Sequence, residues 1–298
     1  MMKWQGVIPA MTTPFTETGS VDHSFLVKHT NWLIDNGCQG IVALGSLGEG
    51  ATLTFSEKVE VLTTCVKAIG DRAPVVAGVA ALSTAEAVQI ARAAHAAGCK
   101  GLMVLPPYVY STDWREMKAH VDEVISATPL SCMLYNNPIA YKTDYLPSQI
   151  AELANDHINL HAVKESSADV RRLAAIKSEI GNRLALLVGV DDMIVEGIEA
   201  GATGWIAGLV NALPKESVAL FDFAMKGDKD KAFALYRWFL PLLRMDVVVK
   251  FVQLIKLVQQ EAGMGSERVR APRLVLAGQE RTEAQQIIVR LLAERPQL

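Results

Sequence analysis

The run Leu160-His161-Ala162-Val163-Lys164-Glu165-Ser166-Ser167 places a lysine at the end of a short, mostly apolar stretch. If that stretch is a buried strand, desolvation favours the neutral amine, which is a nucleophile able to form an imine with a carbonyl carbon. Most lysines are solvated surface groups, so position rather than residue type carries this reading. Leu134-Tyr135-Asn136-Asn137-Pro138 closes the preceding apolar run with a phenol. A tyrosine beside a cationic lysine can exchange protons, although a tyrosine taken alone is more often a core aromatic with a satisfied hydroxyl. A third segment, Leu44-Gly45-Ser46-Leu47-Gly48-Glu49-Gly50, is a glycine-rich loop whose backbone N–H groups can hold an anion. It lacks the Gly-Lys-Ser/Thr ending of a phosphate loop and does not follow Gly-x-Gly-x-x-Gly; alone it reads as a tight strand-to-helix turn.

These residues need a frame. Eight short apolar runs are read as strands: Val7 to Met11, Ile41 to Leu44, Val75 to Val79, Leu102 to Leu105, Leu130 to Tyr135, Leu160 to Lys164, Leu184 to Val188 and Gly204 to Ala207. Continuously apolar runs suit strands buried on both faces, and the helical patterns between them imply βαβ units and a parallel sheet. Ser56, Ser83 with Thr84, and Thr112 stand as helix-capping residues before Val59 onward, Ala85 to Ala97 and Trp114 to Ile125. A weak repeat, Asn36-Gly37-Cys38, Ala97-Gly98-Cys99 and Ala200-Gly201-Ala202, ends three helices on glycine, which accepts the left-handed conformation there. The expected fold is α/β, a (β/α)8 TIM barrel over residues 1–227. Residues 228–298 form a C-terminal helical extension of the same domain, with helical patterns at Phe233 to Leu243, Val247 to Gln260 and Thr282 to Ala293. In a barrel, reactive groups come from the C-terminal ends of strands and the loops after them, which is where Lys164, Tyr135 and the Gly45–Gly50 loop fall.

Composition narrows the function. A chain of 298 residues that is 50% hydrophobic, with net charge -3 and no basic block, lacks the electrostatic footprint of a nucleic-acid binder; the expected partner is a small molecule. Cys38, Cys65, Cys99 and Cys132 lie apart in apolar runs, as reduced core thiols do, which points to the cytoplasm. The N-terminus lacks the apolar stretch of a secretory signal, and no run reaches the roughly 18 apolar residues of a membrane span. The six histidines are scattered, so no metal site is expected, and a metal-dependent aldolase or hydrolase is disfavoured.

Together the three segments resemble the dihydrodipicolinate synthase and N-acetylneuraminate lyase family of Schiff-base barrels. Gly45 to Glu49 is similar to that family's glycine-hydroxyl-hydroxyl-glycine-glutamate loop, Tyr135 to Pro138 to its Tyr-Asn-x-Pro, and Val163-Lys164 to its strand end. Gly6 to Phe15, Pro106-Pro107-Tyr108 and Gly189-Val190-Asp191-Asp192 fall where the family has similar segments. The resemblance implies that Lys164 attacks C2 of a small 2-oxo acid or cyclic imine, giving an iminium that acts as an electron sink. It implies that Tyr135 shuttles protons, that Ser46 hydrogen-bonds Tyr135, and that the N–H groups of Ser46 and Leu47 hold the substrate carboxylate. Gly45, Gly189 and the apolar Ile206 are the other expected substrate-binding positions. The resemblance implies no metal or organic cofactor, and a homotetramer.

The chain also departs from the family. Leu47 stands where a second hydroxyl residue is usual. Ala140 stands where the synthases carry an arginine for the second substrate's carboxylate; Lys142 is the nearby alternative, without the arginine fork. Val109, with Tyr110 one residue on, replaces a second tyrosine. The end of the last strand, Gly204-Trp205-Ile206-Ala207-Gly208-Leu209, is apolar and suits a short substrate. Tyr-Asn-Asn-Pro with Gly-Trp-Ile-Ala-Gly-Leu-Val-Asn-Ala looks most like the deaminases of 1-pyrroline-4-hydroxy-2-carboxylate. The alternatives are an authentic 4-hydroxy-tetrahydrodipicolinate synthase, a 2-keto-3-deoxy acid aldolase or dehydratase, and a non-catalytic paralogue that binds a 2-oxo acid.

Overall fold

A computed structural model describes residues 2–107 and 113–298. The eight strands are β1 Gly6–Pro9, β2 Ile41–Ala43, β3 Val75–Val79, β4 Gly101–Val104, β5 Ser131–Asn136, β6 Leu160–Glu165, β7 Ala185–Val188 and β8 Gly204–Ala207. All pair in parallel in the order β1-β8-β7-β6-β5-β4-β3-β2. The remaining seam is closed by a bridge between Ala10 and Val42 and by the Met11 N–H donating to Val42 O at 2.8 Å. The result is a (β/α)8 barrel. Its strands are short and apolar because each is covered by barrel side chains on one face and helices on the other.

The helices that follow the first four strands are α1 His23–Asp35, α2 Phe55–Ile69, α3 Thr84–Ala96 and α4 Trp114–Ser126. After β5 come a single turn, α5 Pro138–Tyr141, and α6 Pro147–Asp156; α7 Arg171–Ile180, α8 Ile194–Glu199 and α9 Pro214–Met225 complete the ring. Gly37, Gly98 and Gly201 have φ of 96°, 92° and 103°, the left-handed helix endings that the repeat predicts.

Several boundaries differ from expectation. The first strand begins at Gly6 and stops at Pro9, since Ala10 and Met11 leave β8 to reach β2. Thr54, not Ser56, caps α2, because Thr54 and Glu57 form a reciprocal capping box. Ser83 caps α3, and α4 is capped by Asp113, the predicted Thr112 lying outside the described residues.

The extension consists of α10 Lys229–Leu243, a tight turn at Arg244–Asp246, α11 Phe251–Glu261 and α12 Gly278–Ala293. Val247, Val248 and Val249 stay outside α11, contrary to the expected start at Val247; three consecutive β-branched residues are poor helix formers. The extension shares one continuous apolar core with the barrel. No helix among the described residues is long and apolar enough to cross a membrane.

One buried ion pair fastens the extension to the barrel mouth. Lys256 of α11 is 2% exposed, and its Nζ donates to Glu49 Oε1 at 2.6 Å, Thr13 O at 2.8 Å and Arg268 O at 2.7 Å. Glu49 is 1% exposed and accepts from the Arg270 N–H through its other oxygen at 2.9 Å. Removing one member strands the other charge in the core, which typically costs about 3–5 kcal/mol. Lys256→Met should therefore lower stability by about that amount in urea unfolding; a loss below about 1 kcal/mol would show that the pair contributes no more than a surface contact.

Candidate active site

Lys164 occupies the last turn of the pleat in β6, paired with Tyr135 on β5 and Leu187 on β7. The register follows from two apolar strands bonded along their whole length, with a single irregularity at Cys132 and Met133. It sets the amine beside the phenol: Lys164 is 6% exposed and its Nζ lies 4.1 Å from the centroid of the Tyr135 ring. The electron-rich ring face partly compensates an ammonium there. Burial pulls the lysine pKa down to about 8, against the opposing attraction of Asp246 and Asp191. Room for the side chain comes from Gly189, where a Cβ would collide with Lys164 Cε and Ser166 Oγ. Gly189, predicted as a substrate-binding position, thus sits against the lysine itself and leaves space for it.

The Tyr135 hydroxyl accepts a hydrogen bond from Asn137 Nδ2 at 3.0 Å, and burial holds its pKa above the usual phenol value. The expected Ser46–Tyr135 hydrogen bond is replaced by another contact. Ser46 Oγ hydrogen-bonds the hydroxyl of Tyr141, whose ring meets Tyr135 edge-on with centroids 5.8 Å apart. The physical reason lies in α5: Asn137 caps it by accepting from the Ala140 N–H at 3.0 Å, and the single turn swings Tyr141 back over the barrel mouth. A proton path therefore runs Ser46–Tyr141–Tyr135, with Tyr141 a member that sequence reasoning passed over. Ala140 and Lys142 are exposed on the same turn, Lys142 in a left-handed conformation with φ of 61°.

The loop after β2 is bent sharply, with Leu44 (φ 67°) and Glu49 (φ 54°) both in the left-handed region. Such conformations persist only when the surroundings enforce them, and Glu49 is enforced by Lys256. Among the described residues, nothing accepts from the backbone N–H groups of Ser46 and Leu47. These free donors are what an anion cradle requires. Leu47 is buried and adds only apolar surface, and Gly45 faces Met103 Cε, which a Cβ would meet at 3.2 Å. Ile206 is buried in β8, paired with Ile8, and offers no polar group.

Two carboxylates at the barrel mouth were not singled out from the sequence. Asp191 is fully buried after β7 and accepts from Trp205 Nε1 at 3.0 Å, the Gly208 N–H at 3.0 Å and the Leu209 N–H at 2.7 Å. Burial nevertheless raises its pKa to about 6. Asp246 comes from the turn between α10 and α11, and burial with the neighbouring Asp191 pushes its carboxyl well above the usual range. The Gly-Val-Asp-Asp segment was visible in the sequence, but nothing local marks Asp246 except an acid within an apolar stretch. Among the described residues, no three His, Cys, Asp or Glu side chains are grouped to hold a metal ion. Tyr108, Val109 and Tyr110 lie outside the described residues.

Similarity to known proteins points the same way as this geometry. The model of the Dihydrodipicolinate synthetase family matches residues 3–291. A 4-hydroxy-tetrahydrodipicolinate synthase of Methanococcus vannielii is 32% identical over 268 residues, 90% of this chain and 92% of its own. One from Staphylococcus haemolyticus is 32% identical over 92% of each chain. The crystal structure of the chloride-inhibited dihydrodipicolinate synthase of Acinetobacter baumannii complexed with pyruvate superposes with a TM-score of 0.92 at 27% identity, covering 97% of this chain and 99% of that one.

Two outcomes follow from the geometry. Tyr141→Phe should lower turnover, as should Tyr135→Phe, the latter by roughly 100-fold or more, while slow imine formation survives in both. Steady-state rates of the two variants on one substrate check this, and a fully active Tyr141→Phe would remove it from the path. Because the free amine is the nucleophile and Lys164 titrates near 8, the rate of imine formation should rise as pH is raised toward 8. Borohydride trapping at a series of pH values, read by intact mass, measures it.

Proposed function

The chain belongs to the dihydrodipicolinate synthetase family, and from that premise we propose that it is a Schiff-base-forming lyase in which Lys164 condenses with C2 of a small 2-oxo acid or cyclic imine. The observation that carries this reading is the buried Lys164 amine, held neutral near pH 8 over the face of Tyr135. The carboxylate of the substrate docks on the Ser46 and Leu47 N–H groups, which places its C2 toward β6. Attack by the amine forms the N–C bond while the displaced oxygen or ring nitrogen takes up protons. The iminium then withdraws electrons from C3, so a proton can leave C3 and a group can leave C4. Tyr135, in line with Tyr141 and Ser46, moves the protons.

Within this class the reading we favour is deamination of 1-pyrroline-4-hydroxy-2-carboxylate, to 2-oxoglutarate semialdehyde and ammonia. Ala140 offers no cation for the second carboxylate that a synthase must hold, and Lys142 on the same turn is exposed. Asp191 and Asp246 add negative charge at the mouth, which repels a second carboxylate and suits a hydroxyl or amine. Condensation of pyruvate with aspartate semialdehyde is the second reading, supported by the synthases at 32% identity.

A side-by-side assay decides between the two. The pyrroline substrate should be turned over well and the condensation poorly, since loss of a carboxylate contact at a buried site costs about 2–5 kcal/mol. A condensation rate far above the deamination rate would reverse the order. Wild-type protein reduced by borohydride in the presence of pyruvate should carry its adduct on the Lys164 peptide, and an undiminished adduct in Lys164→Ala would overturn the family chemistry for this chain.

A further inference from the structure

Asp246 is a barrel-mouth residue supplied by the helical extension rather than by any strand-end loop of the barrel. Its carboxylate rests on the Cα of Gly208, at the end of β8, so closely that a Cβ there would collide with Oδ1 and Cγ. It makes no hydrogen bond and no ion pair with any described residue, although it stands near enough to Lys164 and Tyr135 to bear on the charge of both. This sets it apart from Asp191, whose oxygens are taken up by Trp205, Gly208 and Leu209. A second unpaired group lies on the other side of the lysine: Ser166 Oγ, buried at 2% exposure against Gly189 and without a partner among the described residues. Buried polar groups are normally satisfied, so two open ones flanking one amine mark the space where reacting atoms sit.

We propose that Asp246 is the proton partner of Lys164, taking the proton that the amine sheds before attack and giving it to the group that leaves the attacked carbon. The inference rests on the Schiff-base reading above. With the proton on Asp246, Lys164 is a free amine. Its lone pair forms the N–C2 bond, the C2–oxygen double bond of a 2-oxo acid opens, and one amine proton passes to that oxygen. The nitrogen lone pair then closes the C2–nitrogen double bond as the hydroxyl leaves, carrying the Asp246 proton away as water. For a cyclic imine the ring nitrogen is the leaving group, and the same proton makes it an amine. Either way a neutral amine and a neutral acid become an iminium cation and a carboxylate anion side by side, which stabilise each other in a dry site.

The charged groups bearing on Asp246 fit this exchange. Lys164 faces it from β6, and Asp191 and Asp192 from the segment after β7. Arg244, on its own turn, is drawn toward Asp192 at 3.7 Å. The two aspartates oppose ionisation of Asp246 and the lysine favours it, so one proton is shared between amine and acid.

Asp246→Asn keeps the shape and removes the acid. With pyruvate, rapid-quench borohydride trapping of this variant should still reach completion on Lys164, but with a rate constant lowered by about 100-fold near neutrality. Its acid limb should move to lower pH, because Lys164 loses a neighbouring anion, and Asp246→Glu should recover part of the rate. A structural role alone would lower the thermal midpoint without moving the pH profile. An Asn variant within about threefold of wild type, with an unchanged profile, overturns the assignment. If that variant does not fold, the Glu variant carries the test: slowed imine formation with a displaced profile supports the proposal, and wild-type behaviour overturns it. Wild-type protein that forms no adduct on Lys164 overturns the Schiff-base reading instead, which separates the two failures.

Discussion

An amine cannot be buried in a protein interior without either losing its proton or being balanced by a partner, and the barrel mouth is organised around that constraint at Lys164. Desolvation pulls the lysine toward neutrality, while Asp246 and Asp191 pull it back. The compromise near 8 leaves a usable fraction of free amine at neutral pH. Each neighbour contributes in a different way. Tyr135 offers a ring face, Gly189 offers space, and Asp191 is held by β8 backbone donors that fix the distance between its charge and the amine.

The same constraint explains why the site draws on so many elements. No one loop can surround the end of a strand. The floor comes from the register of β5, β6 and β7, which packing of apolar side chains sets without reference to function. The anion cradle comes from a strained turn that its own sequence does not favour, with Leu44 and Glu49 both left-handed. The strain is held by Lys256 and Arg270, from the far end of the chain.

Local patterns were readable from the sequence, and long-range ones were not. A lysine ending an apolar run and a glycine-rich turn are contiguous motifs, and a barrel places their side chains predictably. Glycine at three helix ends announced the left-handed geometry found there. Tyr141 escaped notice because its role depends on a single turn of helix swinging it over Ser46, and no periodicity reveals that. Asp246 escaped for a stronger reason. Its partners lie on β6, β7 and β8, brought together only when the extension docks, and in one dimension it is merely an acid beside three valines. The expected helix over that stretch failed for a local cause, since β-branched residues in succession resist helix formation.

The ion pair between Glu49 and Lys256 also imposes an order on biosynthesis. Its members are separated by 207 residues, and chains are made at about 5–20 residues per second. For roughly 10–40 s at those rates, the nascent chain contains a glutamate whose counterion does not yet exist. During that interval the turn after β2 has nothing to hold its left-handed residues, and the N–H groups of Ser46 and Leu47 have no fixed direction. Half-made barrels on the ribosome therefore lack a formed anion cradle even after Lys164 has emerged. The reactive amine meets cellular 2-oxo acids in working order only when synthesis is nearly complete.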